Sequence, residues 1–598
     1  MFKIPSITQI AQTTLNTFQR FPLALIAALI GSGAGILAME SLDNYANEWI
    51  ASIVLTAMIA TLLFTVLTLI GETFTKKEHK LVLMAVGILL VGLYYWSIPE
   101  GFEQASLFWS RHIFFCLAGF TALTWAPYWN KKISDDLTWE WNRQGFMQAI
   151  VTVFFGIVIF AGVSAAFFAI DNLFGVDIDG KRYGQLWALV VGVFGPFFFL
   201  SQLSKAPQTI KLPKPIPAFM NVFTKFILTP LAIGYFVILY LYTFKVLITG
   251  EWPKNVLGWL VICFSGVAVV AYFLWTPFWK GKIEKYRRLL WWGLLPQIAM
   301  LFTAISIRIL DYSWTENRYF VVVLGLYLLG IALYFLIYKK ALFRHIFIAL
   351  TVVILFTQVG PWSGYVIGRK AQTVRLVTFL EKHEILQNGE VVPSTKVISK
   401  QDRFEMSDMI QYLGSRHGID TLRPIIPGVV EALEVEHPDY LESYRWNLAQ
   451  NVTEKLGFEY VDKWQMQYDS NNEYFSINIL DPGIRDVSGD YQWMAPVRYY
   501  QWSNNVETDT EVTTDEEALT IIIKQSGEQG FTEIIELKNF LESLESDYRV
   551  KDRSKPDPKD FVYFYESPTI KVKVLLDSIN GNGHKINSFR GNILWRRK

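Results

Sequence analysis

Ionisable and hydroxyl side chains crowd positions 308–319, between two long apolar stretches: Arg308, Asp311, Tyr312, Ser313, Thr315, Glu316, Arg318 and Tyr319. Ionisable groups beside a bilayer are expensive to place there, which makes them candidates for function. On a helical reading Arg308 lies about one turn before Tyr312. Its planar guanidinium can hold a carboxylate or a phosphate through two parallel hydrogen bonds. Arg308, Asp311, Tyr312, Glu316 and Arg318 are therefore the candidate ligand-binding set. A structural reading competes with it. Ser313 and Glu316 have the spacing of a capping box for the helix that follows, and the two arginines can neutralise Asp311 and Glu316. On that reading Arg308 pairs with Asp311 or Glu316, and Ser313 caps the helix.

Other polar positions carry weaker signals. Arg111 and His112 sit one turn into an apolar stretch and are expected to snorkel outward. Thr229-Pro230 and Pro296-Gln297 interrupt two more; proline frees a backbone carbonyl, which in transporters can line a site, yet proline is ordinary in membrane helices. The run Gly31-Ser32-Gly33-Ala34-Gly35 predicts close helix packing within the chain. Arg416 and His417 directly precede Gly418, as cations do in the last turn of a helix that stops at glycine. The acidic stretch Glu507, Asp509, Glu511, Asp515, Glu516, Glu517 lacks the glycine and fixed spacing of a calcium loop and reads as a solvated loop.

Complete signatures of soluble enzymes are absent: no H-E-x-x-H, no G-x-S-x-G, no C-x-x-C and no phosphate-cradling G-x-x-x-x-G-K-[S/T], since Gly175, Gly180 and Lys181 have the spacing but Arg182 stands where the hydroxyl residue belongs. The seven histidines show no metal-ligand spacing. No catalytic residue, metal or cofactor is expected. Net charge is +1, which offers no argument for nucleic acid. The only cysteines, Cys116 and Cys263, fall in apolar stretches, so no disulfide framework is expected.

The elements that must position these groups are mostly membrane helices. Apolar and aromatic residues crowd the first 360 positions, and most of the charge follows them. A backbone in lipid must satisfy its own hydrogen bonds, so an apolar run of about twenty residues predicts a spanning helix. Eleven such runs lie near 21–39, 49–70, 81–97, 107–126, 146–170, 183–203, 219–244, 256–276, 289–307, 319–338 and 346–362. The first begins only at Phe21 with no small-residue cleavage site before Glu40, so the N-terminus does not read as a cleavable signal. With the N-terminus inside, the inner connections hold 20 lysines and arginines and the outer ones 7. That asymmetry favours a cytoplasmic N-terminus and, after eleven spans, an extracytoplasmic C-terminal domain. Arg369, Lys370 and Arg375 directly after the last span would instead fit a re-entrant segment and a cytoplasmic tail.

Two connections look alike. Trp125-Ala-Pro127-Tyr-Trp129 leads to Lys132-Ile133, and Trp275-Thr-Pro277-Phe-Trp279 leads to Lys282-Ile283. Leu42-Asp43, Ile170-Asp171 and Leu310-Asp311 recur at the ends of helices one, five and nine. A parallel repeat of four helices, twice, with an incomplete third copy of three, accounts for both patterns. After residue 363 a soluble α+β domain is expected, helical over 364–457 and strand-rich over 470–598. Ile570, Val572 and Val574 alternate with Lys571 and Lys573, the period of a half-buried strand. Asn580-Gly581-Asn582-Gly583 then turns the chain toward a strand at 586–595, and Ile521-Ile522-Ile523 predicts a buried one. The fold class is thus a membrane all-α bundle of about eleven helices followed by a soluble α+β domain.

The segment Arg308…Asp311-Tyr312-Ser313-Trp314-Thr315-Glu316-Asn317-Arg318-Tyr319, with Gly360-Pro361-Trp362, Gln372 and Arg375-Leu376, resembles the bacterial family called domain of unknown function 4153. Ser313 stands where the resemblance implies glycine. What it implies is a bacterial inner-membrane protein with no assigned activity. The leading expectation is a non-enzymatic envelope transporter, sensor or scaffold. Its partners would be the lipid bilayer and an envelope protein or small-molecule ligand. The rival is a membrane glycosyltransferase using a lipid-linked donor, with Glu40 and Asp43 as its first-loop acids; that loop is about nine residues, short for substrate handling.

Overall fold

The computed structural model describes residues 6–40, 48–99, 106–131, 133–204, 210, 217–250, 257–278, 288–338, 342–392, 398–436, 448–463 and 466, and, toward the C-terminus, 474–478, 491–497, 503–505, 510–515, 518–525, 530–550, 557–582 and 585–598. Among these, nine helices are long and apolar enough to cross a membrane. A short helix, α1 (Ile7–Arg20), comes first, opened by a reciprocal capping box between Ser6 and Gln9. The spans are α2 (Pro22–Glu40), α3 (Glu48–Gly71), α4 (Lys77–Trp96), α5 (Ser106–Leu123), α6 (Asp135–Phe174), the continuous pair α7 (Lys181–Leu189) and α8 (Gly195–Gln202), the pair α9 (Ala218–Val222) and α10 (Thr229–Thr249), α12 (Leu289–Tyr312) and α13 (Glu316–Ile337). Two shorter apolar helices are Cys263–Leu274, within α11 (Leu257–Leu274), and α14 (Arg344–Gln358). Each expected apolar run therefore folds as a helix. The largest departure in length is α6, whose 40 residues extend about 60 Å, roughly twice the hydrocarbon thickness.

Both paired spans are joined through a π turn, Val190–Phe194 and Phe223–Leu228, just before Pro196 and Pro230. Proline lacks an N–H and crowds the carbonyl one turn back, and a widened turn accommodates the ring. The Thr229 hydroxyl donates to the Thr224 carbonyl at 2.6 Å within the second one. The glycine run of α2 packs inside the molecule: a Cβ on Gly31 would lie 2.7 Å from Ala57 Cβ, and Ser32 donates to the Ala188 carbonyl at 2.9 Å. Arg20 binds the Glu72 carboxylate through Nε (2.6 Å) and Nη2 (2.9 Å) and also donates to the carbonyls of Leu203 and Ser204, which follow α8. One guanidinium thus ties together the ends of α1, α3 and α8.

The direction of α14 follows from its contacts with α5. Arg344, at its start, donates to the Lys131 carbonyl beyond the end of α5. Midway, Thr351 accepts from the Trp125 indole and donates to Thr121, both at 3.0 Å. At its end Gln358 accepts from the Tyr365 hydroxyl, which also bonds Ser110 at the start of α5 (2.9 Å each). The last apolar helix therefore runs antiparallel to α5 along its length. Each tryptophan–proline motif turns through one 3₁₀ segment, Ala126–Tyr128 and Thr276–Phe278. Trp279, Lys132, Lys282 and Ile283 lie outside the described residues.

The chain forms two compact units, residues 1–396 with 409–457, and residues 397–408 with 458–598. Helices α15 (Gly364–Lys382), α17 (Pro427–Glu436) and α18 (Leu448–Lys455) belong to the first. Helix α16 (Lys400–His417) belongs to both, changing from the second unit to the first after Asp408. After α15 the short strands β1 (Leu386–Gln387) and β2 (Glu390–Val391) pair with each other. The second unit holds β3 (Tyr474–Asn478), β4 (Trp493–Val497), β5 (Ser503–Asn505), β6 (Thr510–Asp515), β7 (Thr520–Gln525), β8 (Phe531–Glu536), β9 (Val562–Glu566), β10 (Ile570–Asn582) and β11 (Lys585–Arg597). One sheet runs in the order β3-β10-β11-β4, with β9 also on β10, and another in the order β5-β6-β7-β8. Strands β10 (Ile570–Asn582) and β11 (Lys585–Arg597) form the expected hairpin, with Asn582 opposite Lys585, and Ile570, Val572 and Val574 are fully buried. Ile521 and Ile523 of β7 (Thr520–Gln525) and Leu541, Leu544 and Tyr548 of α19 (Lys538–Val550) complete that core. The acidic stretch departs from its loop reading: Thr510–Asp515 is strand β6, paired with β7 along its length. Threonine and valine between the acids let that segment join the sheet while Asp515 stays exposed. Glu507, Asp509, Glu516 and Glu517 lie outside the described residues.

Candidate functional site

Helix α12 ends at Tyr312, and the backbone of Ser313 takes φ 60°, ψ −173°. That conformation belongs almost exclusively to glycine. The turn makes Thr315 the N-cap of α13, without a side-chain bond, so Glu316 is the first helical residue. A capping box needs its acid at the third position. The box expected from Ser313 and Glu316 therefore does not form, and Glu316 is released for another partner. Replacing Ser313 with glycine should remove the backbone strain and raise stability by about 1–3 kcal/mol; thermal unfolding in detergent measures it, and an unchanged midpoint would show that the turn is relaxed with serine.

The partner comes from the end of α16. Glu316 is 3% exposed, and its Oε1 lies 2.8 Å from His417 Nε2, a side chain equally buried. Arg416 Nη1 lies 3.6 Å from Oε2. The Tyr412 ring meets the His417 ring edge-on at 5.3 Å. Burial, and then the Glu316 carboxylate beside it, push the Tyr412 hydroxyl above its usual range, so it stays protonated and able to donate. The Glu316 carboxylate is itself favoured by its place in the first turn of α13, where the helix terminus stabilises negative charge. Space for the cluster comes from Gly368 on α15, where a Cβ would lie 2.6 Å from the Tyr412 hydroxyl and 3.2 Å from the Glu316 nitrogen. Gln372, one turn on, donates to the carbonyls of Tyr312 and Trp314 at 2.9 Å each and holds the corner in place.

Arg416 and His417 do end α16 before Gly418, which takes φ 90°, as the sequence predicts. Their second role was not visible there, because the group they hold is about a hundred residues earlier in the chain. Of the candidate set, Arg308 and Asp311 lie on the last turns of α12, and Arg318 donates to the carbonyls of Tyr312 (3.0 Å) and Ser313 (2.7 Å). His112 departs from the snorkelling expectation. It is 4% exposed and 2.6 Å from the Tyr94 hydroxyl, because aromatic rings of α4 and α5 surround it. Arg111 lies over the Tyr365 ring at 4.6 Å. The turn before Pro296 is met by the Tyr240 hydroxyl, which donates to the Gly293 carbonyl at 2.7 Å, while Thr243 donates to Gln297 at 3.3 Å. Glu40 is bound by Arg182 (2.5 Å), Lys181 (3.2 Å) and Gln185 (2.7 Å). Asp43 lies outside the described residues.

Spanning helices, a buried carboxylate at the head of one of them and strands toward the C-terminus define a multi-pass membrane protein with a strand-containing C-terminal region. The chain belongs to the family described as Domain of unknown function (DUF4153), which residues 47–382 match. A stretch of 248 residues is 23% identical to an uncharacterized protein of Pasteurella multocida (strain Pm70), covering 41% of this chain and 42% of that relative, less than half of either. No solved structure matches the chain.

Proposed function

We propose that this protein is a non-enzymatic sensor of the bacterial inner membrane, in which the end of α16 latches onto Glu316. The observation that carries the reading is the burial of Glu316 against His417, Tyr412 and Arg416, on a helix whose first half belongs to the other unit. On this reading the carboxylate is engaged in one state and hydrated in the other, the kind of two-state element that a signal needs. Transport and scaffolding are the alternatives within the same class. The glycosyltransferase reading loses support because Glu40 is already occupied by two cations and an amide. In the candidate ligand set, Glu316 serves the latch, with Arg308, Asp311, Tyr312 and Arg318 on the neighbouring surface. Replacing His417 with alanine should speed hydrogen exchange across residues 312–319 of the full-length protein in detergent. Unchanged exchange there would remove the latch from the account.

The orientation belongs to the same proposal. The charge asymmetry favours a cytoplasmic N-terminus, and an α14 antiparallel to α5 supports a crossing rather than a re-entrant last segment. The residues after α14 are then extracytoplasmic. A reporter active only outside the cytoplasm, fused after Lys598, should be active and its cytoplasm-dependent counterpart silent; the reverse result would place the tail inside. The four-helix repeat is supported by the two matching 3₁₀ corners, whose tryptophans each donate to a threonine hydroxyl, Trp125 to Thr351 and Trp275 to Thr229. An experimental structure whose first and second groups of four spans do not superpose in the same sense would overturn it.

A further inference from the structure

The apolar face of α1 runs past the edge of the bundle. In the sequence, apolar residues recur at 7, 10, 11, 15 and 18, the spacing of one helix face, with Thr14 among them. The opposite side carries Thr8, Gln9, Gln12, Thr13, Asn16 and Gln19, and no charged residue stands in α1 before Arg20. At the end of the helix, Phe18 packs on the cluster that holds Phe21, Leu200 and Leu203. Farther back along the same face Ala11 is exposed and Leu15 is 51% exposed.

The junction with α2 fixes where this face lies. Phe21, fully buried and non-helical at φ −124°, ψ 51°, joins α1 to the first spanning helix. Arg20 is held by Glu72 and by the carbonyls of Leu203 and Ser204, just past the ends of the spans α3 and α8. Span ends mark the level at which a bundle meets the bilayer surface, so α1 leaves the bundle at that level.

We propose that α1 lies in the interfacial layer of the membrane, with its apolar face on the acyl chains and its amide and hydroxyl face toward water. The face is continuous with the lipid-facing surface of the spans, and lipid is the apolar medium nearest to it. Interfacial helices commonly add electrostatic attraction to anionic lipids. Here the one charged residue of the helix is Arg20, which Glu72 neutralises through two hydrogen bonds. Apolar burial therefore carries the binding, and a neutral bilayer seats the helix as well as an anionic one. Nothing in this inference depends on the latch at Glu316.

The full-length protein, with its free cysteines Cys116 and Cys263 replaced by serine, is reconstituted into vesicles of phosphatidylcholine, alone or mixed with phosphatidylglycerol. A nitroxide is attached in turn to Ala11→Cys, Gln12→Cys, Leu15→Cys and Asn16→Cys, and its collisions with oxygen and with a water-soluble nickel chelate are read. The oxygen-to-nickel ratio should be severalfold higher at positions 11 and 15 than at 12 and 16, as for a face sunk about 5–10 Å into the headgroup and acyl boundary. The two vesicle compositions should give the same ratios. Leu15→Gln should lower the ratio read at position 11. Nickel reaching all four positions equally would show a helix standing in water and overturn the proposal. Positions 11 and 15 closed to both reagents would show protein covering the face, and would do the same. So would a difference between the two sides that appears only with phosphatidylglycerol.

Discussion

Replacing Glu316 with alanine should lower the stability of the membrane bundle by about 2–6 kcal/mol, the scale of stripping a buried carboxylate away from two buried polar groups packed against it. The change leaves the buried His417 Nε2 and the Tyr412 hydroxyl facing an emptied site, and each polar group left unsatisfied in the interior costs about 1–3 kcal/mol. His417→Ala should be similarly harmful, because it leaves the carboxylate buried with weaker partners. Arg416→Ala should lose only about 0–1 kcal/mol, since its side chain is 46% exposed and sits farther off. Thermal unfolding of the three variants in one detergent checks the ranking. The double variant Glu316→Ala/His417→Ala then reads the pair directly, with a coupling of about 0.5–3 kcal/mol expected for residues in contact. Equal and small losses in all three single variants would mean that the contact contributes nothing to stability.

The second large effect is expected at Gly591 in β11. This glycine faces Leu576 in the register of the hairpin, next to the irregularity between Leu576 and Ser578. A Cβ there would lie 2.1 Å from the Leu575 carbonyl oxygen and 2.8 Å from Leu576 Cα. Overpacking a core commonly costs about 1–3 kcal/mol when side chains can shift. Here the obstructing atoms are backbone, so Gly591→Ala should reach the upper end of that range or exceed it. The matching control is Gly428→Ala in α17, where nothing lies within 4 Å of the added Cβ. It should gain about 0.4–1 kcal/mol through the lowered entropy of the unfolded chain. Hydrogen exchange of the full-length protein separates the two: exchange should rise along β10 and β11 in the first variant only. Protection of the hairpin at the parent level in Gly591→Ala would contradict this account of the bulge.

Apolar length and alternation were legible in the chain. All the apolar runs became helices, since a backbone away from water has few ways to satisfy its polar groups. The alternation of Ile570, Val572 and Val574 became a buried strand face for an equally local reason, the two-residue period of the pleat. The glycine run of α2 likewise packed within the chain, because small side chains allow backbones to approach. Failures came where one local rule had to choose between partners. Ser313 and Glu316 had the spacing of a capping box, but the backbone of Ser313 moved the N-cap to Thr315. His112 was placed at the lipid surface by its position, and inward by the rings around it.

By itself, then, the sequence determined that this is a multi-pass membrane protein, which segments become apolar helices, and where charged side chains gather at the helix ends. Only the tertiary structure decided that Glu316 meets His417 and Arg416, that Arg375 reaches Tyr312, and that α14 runs back along α5. The physical reason is one of range. Burial, helical period and chain termination depend on neighbours within a turn or two, so composition and spacing carry them. Which carboxylate meets which cation depends on helix packing between segments far apart in the chain, and glycines such as Gly368 set how closely those segments approach.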